Sequence, residues 1–251
     1  MRETYFIYLF LTFVRLLEDF KMKLLDRSGA NTKLAKTNDG SEYLVAGLSL
    51  MPDDIVCGYR KRADCGKTCL VFTGMARVFP KINQSRQRKT DWYHSDRGAF
   101  LEQLRKELRL HQKNCEKKGI KPAVRLNVLS DIAWEKHGIP QEFPDIFFYD
   151  YTKNAFRLGR TPDNYHLIFS YSGAEEYQKF VTKAWETDSP VAVVFKNRVP
   201  ASFMGRVVVD GDKSDLDNVV AGRVIIGLVE KLSGSESPVF MVDPDLIAVA
   251  A

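Results

Sequence analysis

Apolar residues along the chain cluster into short runs separated by polar, Gly- and Pro-containing stretches. Seven runs predict strands: Tyr43–Leu50, Ala123–Leu129, Ile146–Tyr151, His166–Tyr171, Val191–Phe195, Arg206–Val209 and Val224–Val229. They are rich in Val, Ile, Leu, Phe and Tyr and lack strict alternation, the pattern of strands covered on both faces. Between them the period changes to three and four. Leu101, Leu104, Leu108, His111 and Cys115 form one stripe of a helix predicted over Gly98–Lys118, with Gly119 to stop it. On that stripe Cys115 and His111 read as core rather than as ligands. Tyr177, Phe180, Val181, Ala184 and Trp185 mark a second helix from about Ala174 to Thr187, with Ser172 able to accept backbone N–H groups at its start.

Strand, turn, helix, strand implies parallel pairing with right-handed crossovers. The expected fold is therefore α/β, a single domain with a mostly parallel sheet, built either as an open doubly wound sheet or as a partial barrel. The expected organisation has three parts. Residues 1–21 form an apolar extension, residues 22–233 the barrel-like domain with a cysteine-containing basic loop over 51–97, and residues 234–251 a peripheral tail. The run Tyr5–Leu17 is interrupted by Arg15 and is too short to span a bilayer. It reads as an amphipathic helix, a membrane-surface anchor or an extension upstream of a start at Met22, and the last is favoured.

Composition adds limits. With 251 residues, 45% hydrophobic and 27% charged, the chain is ordinary for a globular protein and long enough to bury a core without disulfides. The net charge of +5 is unevenly spread. Residues 59–97 hold ten Lys/Arg against three Asp, a local +7 that leaves −2 for the rest. Such a segment is either a solvated surface or a phosphate-contacting patch, with Arg60, Lys61, Arg62, Arg77, Arg86, Arg88 and Lys89 as candidate contacts to DNA or RNA.

Parallel α/β folds place their ligands at the carboxyl ends of strands. That rule selects Ser130, Asp131, Lys153, Ser172, Asn197 and Asp212 as pocket candidates. Asp131 and Lys153 are the groups fitted for proton transfer or nucleophilic work, and Asp131 alternatively caps the turn that follows it. Cys57, Cys65 and Cys69 follow the first predicted strand with spacing Cys-x7-Cys-x3-Cys. Three soft donors on one loop suit zinc or an iron–sulfur cluster and leave one coordination position open. The alternatives are unliganded structural or reactive thiols, or a disulfide. Basic neighbours at Arg60, Lys61, Arg62 and Lys67 should favour thiolate. Asp210-Gly211-Asp212-Lys213-Ser214-Asp215 lacks the bidentate Glu of an EF-hand and reads as a polar turn.

Several segments occur in a recognisable order. Asn31-Thr32-Lys33-Leu34 precedes the cysteine loop. Gly74-Met75-Ala76-Arg77-Val78-Phe79-Pro80 follows it, with Gln84-Ser85-Arg86 behind. Next come Val124-Arg125-Leu126-Asn127-Val128-Leu129-Ser130-Asp131 and Phe147-Phe148-Tyr149-Asp150-Tyr151-Thr152-Lys153. Over residues 31–175 this resembles the phage gene product 88 family of uncharacterised proteins. The chain departs from that pattern in three places. Leu70-Val71 follows Cys69 in place of Tyr-Ala, Ser130 rather than Gly precedes Asp131, and no late cysteine cluster follows Asp215. The resemblance implies a phage or prophage gene, action in a bacterial cytoplasm and, of the two architectures, a partial or degenerate TIM-like barrel. Related phage families look like degenerate radical S-adenosylmethionine barrels, so an iron–sulfur cluster, with S-adenosylmethionine as a further cofactor, joins zinc among the expectations.

The functional expectation is a metal- or cluster-dependent enzyme that modifies or repairs a nucleobase. The alternatives are a transglycosylase-like base-exchange enzyme using Asp131 and a non-enzymatic nucleic-acid-binding protein.

Overall fold

The computed structural model describes residues 22–27, 42–66, 69–72, 74–230, 239 and 241–247. The extension over 1–21 lies outside the described residues. The architecture is mixed α/β around one mostly parallel sheet. Its strands are β1 (Leu25–Arg27), β2 (Tyr43–Leu48), β3 (Lys121–Arg125), β4 (Phe147–Thr152), β5 (Tyr165–Ser170), β6 (Val191–Phe195), β7 (Ser202–Phe203), β8 (Arg206–Asp210), β9 (Ile225–Val229) and β10 (Met241–Val242). The spatial order is β1-β2-β3-β4-β5-β6-β9-β8-β7. From β2 to β6 each strand lies parallel to the next in sequence, and among the described residues only the β1–β2 and β7–β8 pairs are antiparallel.

The two faces differ. Ala46, Leu48, Val124, Phe148, Phe169 and Val193 project into the larger core. That core is covered by α2 (Pro80–Ser95), α3 (Arg97–Lys118) and α5 (Gln178–Trp185), while the one-turn helices α1 (Gly74–Val78) and α4 (Ile139–Glu142) lie in the connections. Val45, Ala123, Tyr149, Ile168, Ala192 and Ile226 project the other way, into a smaller cluster closed by Leu216 and Val219 of α6 (Asp215–Val219). The missing alternation in the sequence is thus explained, because both sets of side chains are buried. A final short helix, α7 (Pro244–Ile247), follows β10.

α3 matches its periodic pattern. Asp96 accepts the Ala99 N–H at 2.9 Å at the start, and Gly119 ends the helix at φ 63°, a conformation glycine adopts without steric cost. Cys115 is buried on it, and His111, half-buried, bonds the carbonyls of Leu44 and Ala123 through Nε2.

Two expectations need correction. The segment 51–97 is not a loop throughout: Pro80 opens the four-turn helix α2, whose polar sequence hid it because only Lys89, Thr90, Trp92 and Tyr93 are buried. Nor is the tail wholly peripheral. β10 pairs with β6 at Met241↔Val194 and Val242↔Phe195, just beyond the point where β5 leaves β6 at Ser170↔Ala192.

Candidate functional site

A cavity of about 270 Å³ opens at the carboxyl ends of the parallel strands. Its walls bring together Cys57, Cys65 and Cys69 from the loop after β2, Ser130 and Asp131 after β3, Lys153 after β4, and Asp212 after β8. Seven candidates spread between Cys57 and Asp212 therefore share one cavity. Ser172 and Asn197 are not among its lining residues. Ser172 is fully buried, donates to the Ala63 carbonyl at 2.7 Å and ties the cysteine loop to the end of β5. Asn197 is exposed at φ 56°, a turn conformation that Asn tolerates better than most residues.

The loop over 51–66 is fastened at several points. Val56 O accepts the Asp131 N–H at 2.7 Å, the Met51 carbonyl accepts from Thr90 Oγ1, and Asp53 accepts from the Val56 N–H at 2.9 Å. All four cysteines are free thiols, so the disulfide alternative is not the state described here. Burial pushes the Cys57 thiol well up, the Asp131 carboxylate, Cys65 and Cys69 add to the shift, and Lys153 partly offsets it. Burial also raises Cys69. For Cys57 and Cys69 this runs against the expectation that basic neighbours favour thiolate; Lys67, one of those neighbours, lies outside the described residues. Arg60 and Lys61 are instead spent on Asp54. Among the described residues no three His, Cys, Asp or Glu side chains are grouped closely enough to hold a metal ion. Thiols are the donor type that a soft metal or cluster takes, and Cys57, Cys65 and Cys69 all line the cavity, although they are not gathered into a ligand set there.

Asp131 does not cap the next turn, whose first residue is Trp134. Its Oδ1 accepts from Thr152 Oγ1 at 2.7 Å and from Arg157 Nη1 at 3.0 Å, and its Oδ2 accepts the Lys153 N–H at 2.7 Å. Burial raises its carboxyl, opposed by Arg157, Thr152 and Lys153. Lys153 donates through Nζ to the carbonyls of Ser170 and Tyr171, at 3.1 and 2.9 Å. Burial pulls its ammonium down to about 8, against the pull of Cys65, Cys57 and Asp131.

Behind this wall lies a polar network that sequence reasoning missed. Arg157 also grips Glu135 through Nε and Nη2 at 2.9 and 2.8 Å and donates to Tyr165 Oη at 3.1 Å. Tyr165 donates to Asp150, which also accepts from the backbone and side chain of Asn127. Burial raises the Asp150 carboxyl to about 7, although Tyr165, Arg125, Asn127 and Arg157 all work to lower it. A second missed pair lines the cavity itself. Arg125 Nη1 donates to Asp215 Oδ2 at 2.7 Å, Tyr151 Oη donates to Asp215 Oδ1 at 2.9 Å, and the guanidinium lies 4.6 Å from the centre of the Tyr151 ring. For Arg125, Asn127 and Asp150 the signal was present as a charged or amide side chain inside an otherwise apolar run; Glu135, Arg157 and Asp215 lie in short helices and carried none.

The basic candidates divide. Lys61, Arg62, Arg77 and Arg88 are exposed, Arg60 is half-buried against Asp54, and Arg86 is half-buried with Nη1 on Asn83. Lys89 is a correction. It is buried and donates to the Leu24 carbonyl and to Asp26, fastening β1 to α2, so it does not belong to an outer phosphate surface.

The family model described as gene product 88 matches residues 22–236. The chain belongs to the gene product 88 family. That match extends beyond both ends of the 31–175 stretch carrying the motif resemblance, and it takes in β8, α6 and β9, which contribute to the cavity wall. No curated protein and no solved structure matches the chain significantly. Among the described residues, no helix is long and apolar enough to cross a membrane.

Proposed function

We propose that this gene product 88 family member is a metal- or iron–sulfur-dependent enzyme, of the radical S-adenosylmethionine-like kind, that modifies or repairs a nucleobase in the cytoplasm of the phage's host. The observation that carries this reading is the convergence of three free thiols, Lys153 and Asp131 on one cavity at the carboxyl ends of parallel strands. The sequential order from β2 to β6, with the long helices on one face, supports the partial-barrel form of the fold. Cys57, Cys65 and Cys69 would hold the metal or cluster, which supplies Lewis-acid or one-electron chemistry at its open position. Lys153 donates or accepts a proton at Nζ. Asp131 fixes the backbone of Lys153 and, through its own N–H, the cysteine loop; it is a positioning residue. Base exchange with Asp131 as nucleophile is the weaker reading, because both carboxylate oxygens are already engaged. Exposed Arg62, Arg77 and Arg88 are the groups available for phosphate contact, with or without an enzymatic activity.

The test is anaerobic purification of the full chain, followed by iron, sulfide and zinc analysis and an absorption spectrum. Nucleosides from DNA and RNA treated with the protein, with and without S-adenosylmethionine, are then examined by mass spectrometry. Iron with sulfide, lost in Cys69→Ala and kept in Cys115→Ala, together with a new nucleoside, is the expected result. Metal content equal in Cys69→Ala and wild type would reject the thiol site. A protein that binds nucleic acid but yields no new nucleoside would leave a binding protein instead.

A further inference from the structure

Arg125 is an unusual side chain for a cavity wall. It is 4% exposed, and its Nε–H has no acceptor. A buried guanidinium donor left unbonded is costly, because its hydration is lost and nothing replaces it. The group is also immobilised: Asp215 holds Nη1, and the Tyr151 ring lies against the guanidinium plane. The edge that contains the free Nε–H is the side-on edge, which pairs with two acceptors side by side.

The surroundings decide which acceptors fit. Asp215 and Asp131 are already matched by Arg125 and Arg157. The lining carries two further acids, Asp212 and Glu230, and two further cations, Lys153 and Lys213. Counting Glu135, which Arg157 also holds, the acids exceed the cations by one, so a neutral acceptor enters at less electrostatic cost than an anion. Leu129, Val194, Leu228 and Met241 supply apolar walls for a flat body. A neutral, flat ligand with two adjacent acceptors on one edge is an oxopurine, whose O6 and N7 lie side by side, whereas adenine presents an amino donor in place of O6.

We propose that Arg125 reads the O6/N7 edge of an oxopurine, guanine or hypoxanthine, bound in this cavity. The inference rests on the reading of the cavity as a nucleobase site and narrows it to a base class. Arg125 and Asp215 then form a preset recognition pair, with Asp215 fixing the guanidinium rather than touching the base.

The test is calorimetric titration of the full-length protein with guanosine, inosine, 7-deazaguanosine and adenosine, with acetate and inorganic phosphate as anion controls. Guanosine and inosine should bind alike. Adenosine should bind about 5- to 150-fold more weakly, the range for a bidentate arginine contact with the wrong base, and 7-deazaguanosine, lacking one acceptor, should fall between. Arg125→Lys keeps the charge for Asp215 but loses the fork, so its guanosine-to-adenosine ratio should move toward unity. If that variant does not fold, the wild-type series decides alone. Equal affinity for adenosine and guanosine, binding of acetate or phosphate without any nucleoside binding, no binding by any nucleoside, or full selectivity in a folded Arg125→Lys protein would each overturn the inference. Modification of a base other than an oxopurine in the mass-spectrometric assay would sink this inference while sustaining the enzyme reading. Absence of any modified nucleoside would count against the enzyme reading itself.

Discussion

Arg157 and Arg125 are equally buried, each with 5% of its side chain exposed, and each is paired with a carboxylate and lies near a tyrosine ring. Their bonding differs. All three nitrogens of Arg157 donate, to Asp131, Glu135, Thr152 and Tyr165. Arg125 makes one described ion pair, through Nη1, and its Nε is left over. A fully bonded buried charge specifies the shape of the wall. An incompletely bonded one spends stability on a donor that a ligand can use.

This contrast can be broken in graded steps. Arg157→Met should have the largest effect, a loss of about 3–5 kcal/mol in urea unfolding, because it strands two buried carboxylates. A loss below that of Arg125→Met would show that the network is not structural. Arg125→Met should cost less, about 1–2 kcal/mol, since Asp215 keeps its bond from Tyr151 and an unbonded donor disappears. Next comes the proton-linked contribution of Asp150. Its carboxyl titrates near 7 in the folded protein against 3.8 when unperturbed, so the folded state holds the proton more tightly. The stability it contributes is full below about pH 4 and is lost as pH rises through 7. Asp150→Asn should therefore flatten the stability profile over that window, measured as unfolding midpoints from pH 4 to 8; an unchanged slope would mean another group dominates. The smallest stability effect belongs to the outer surface. Arg62, Arg77 and Arg88 changed together to Ala should each alter stability by less than about 0.5 kcal/mol. If they touch phosphates, the same triple change flattens the log–log salt dependence of nucleic-acid affinity by roughly two to three units. An unchanged salt slope would separate these residues from nucleic-acid binding.

Much of the framework was legible because apolar runs and helical stripes report burial directly. β6 falls on Val191–Phe195 as expected, and the other six strand runs lie within a few residues of their observed bounds. The rule that parallel strands present ligand groups at their carboxyl ends brought Asp131, Lys153 and the thiols to one cavity. It failed at Asn197, where backbone conformation rather than a ligand accounts for the residue, and at Ser172, which points its hydroxyl at the cysteine loop. Arg125 and Asp150 were passed over because a run-based reading absorbs a charged residue into its apolar strand. Such an interruption is the stronger clue, since charge is seldom buried without a partner or a task. β1, β7 and β10 escaped because strands of two or three residues leave no periodicity to detect.

The pairing of β10 with β6 has a kinetic side. Val194 and Phe195 are made long before Met241 and Val242, the residues that pair with them. At about 5–20 residues per second, the intervening segment takes roughly 2–9 s to emerge from synthesis. Throughout that interval the seam between β5 and β6 lacks its last strand, and the cavity lacks the Met241 wall. The pocket is thus completed late in the birth of the chain, after the sheet that frames it, and a nascent protein carries the thiol loop for some seconds before it can enclose a ligand.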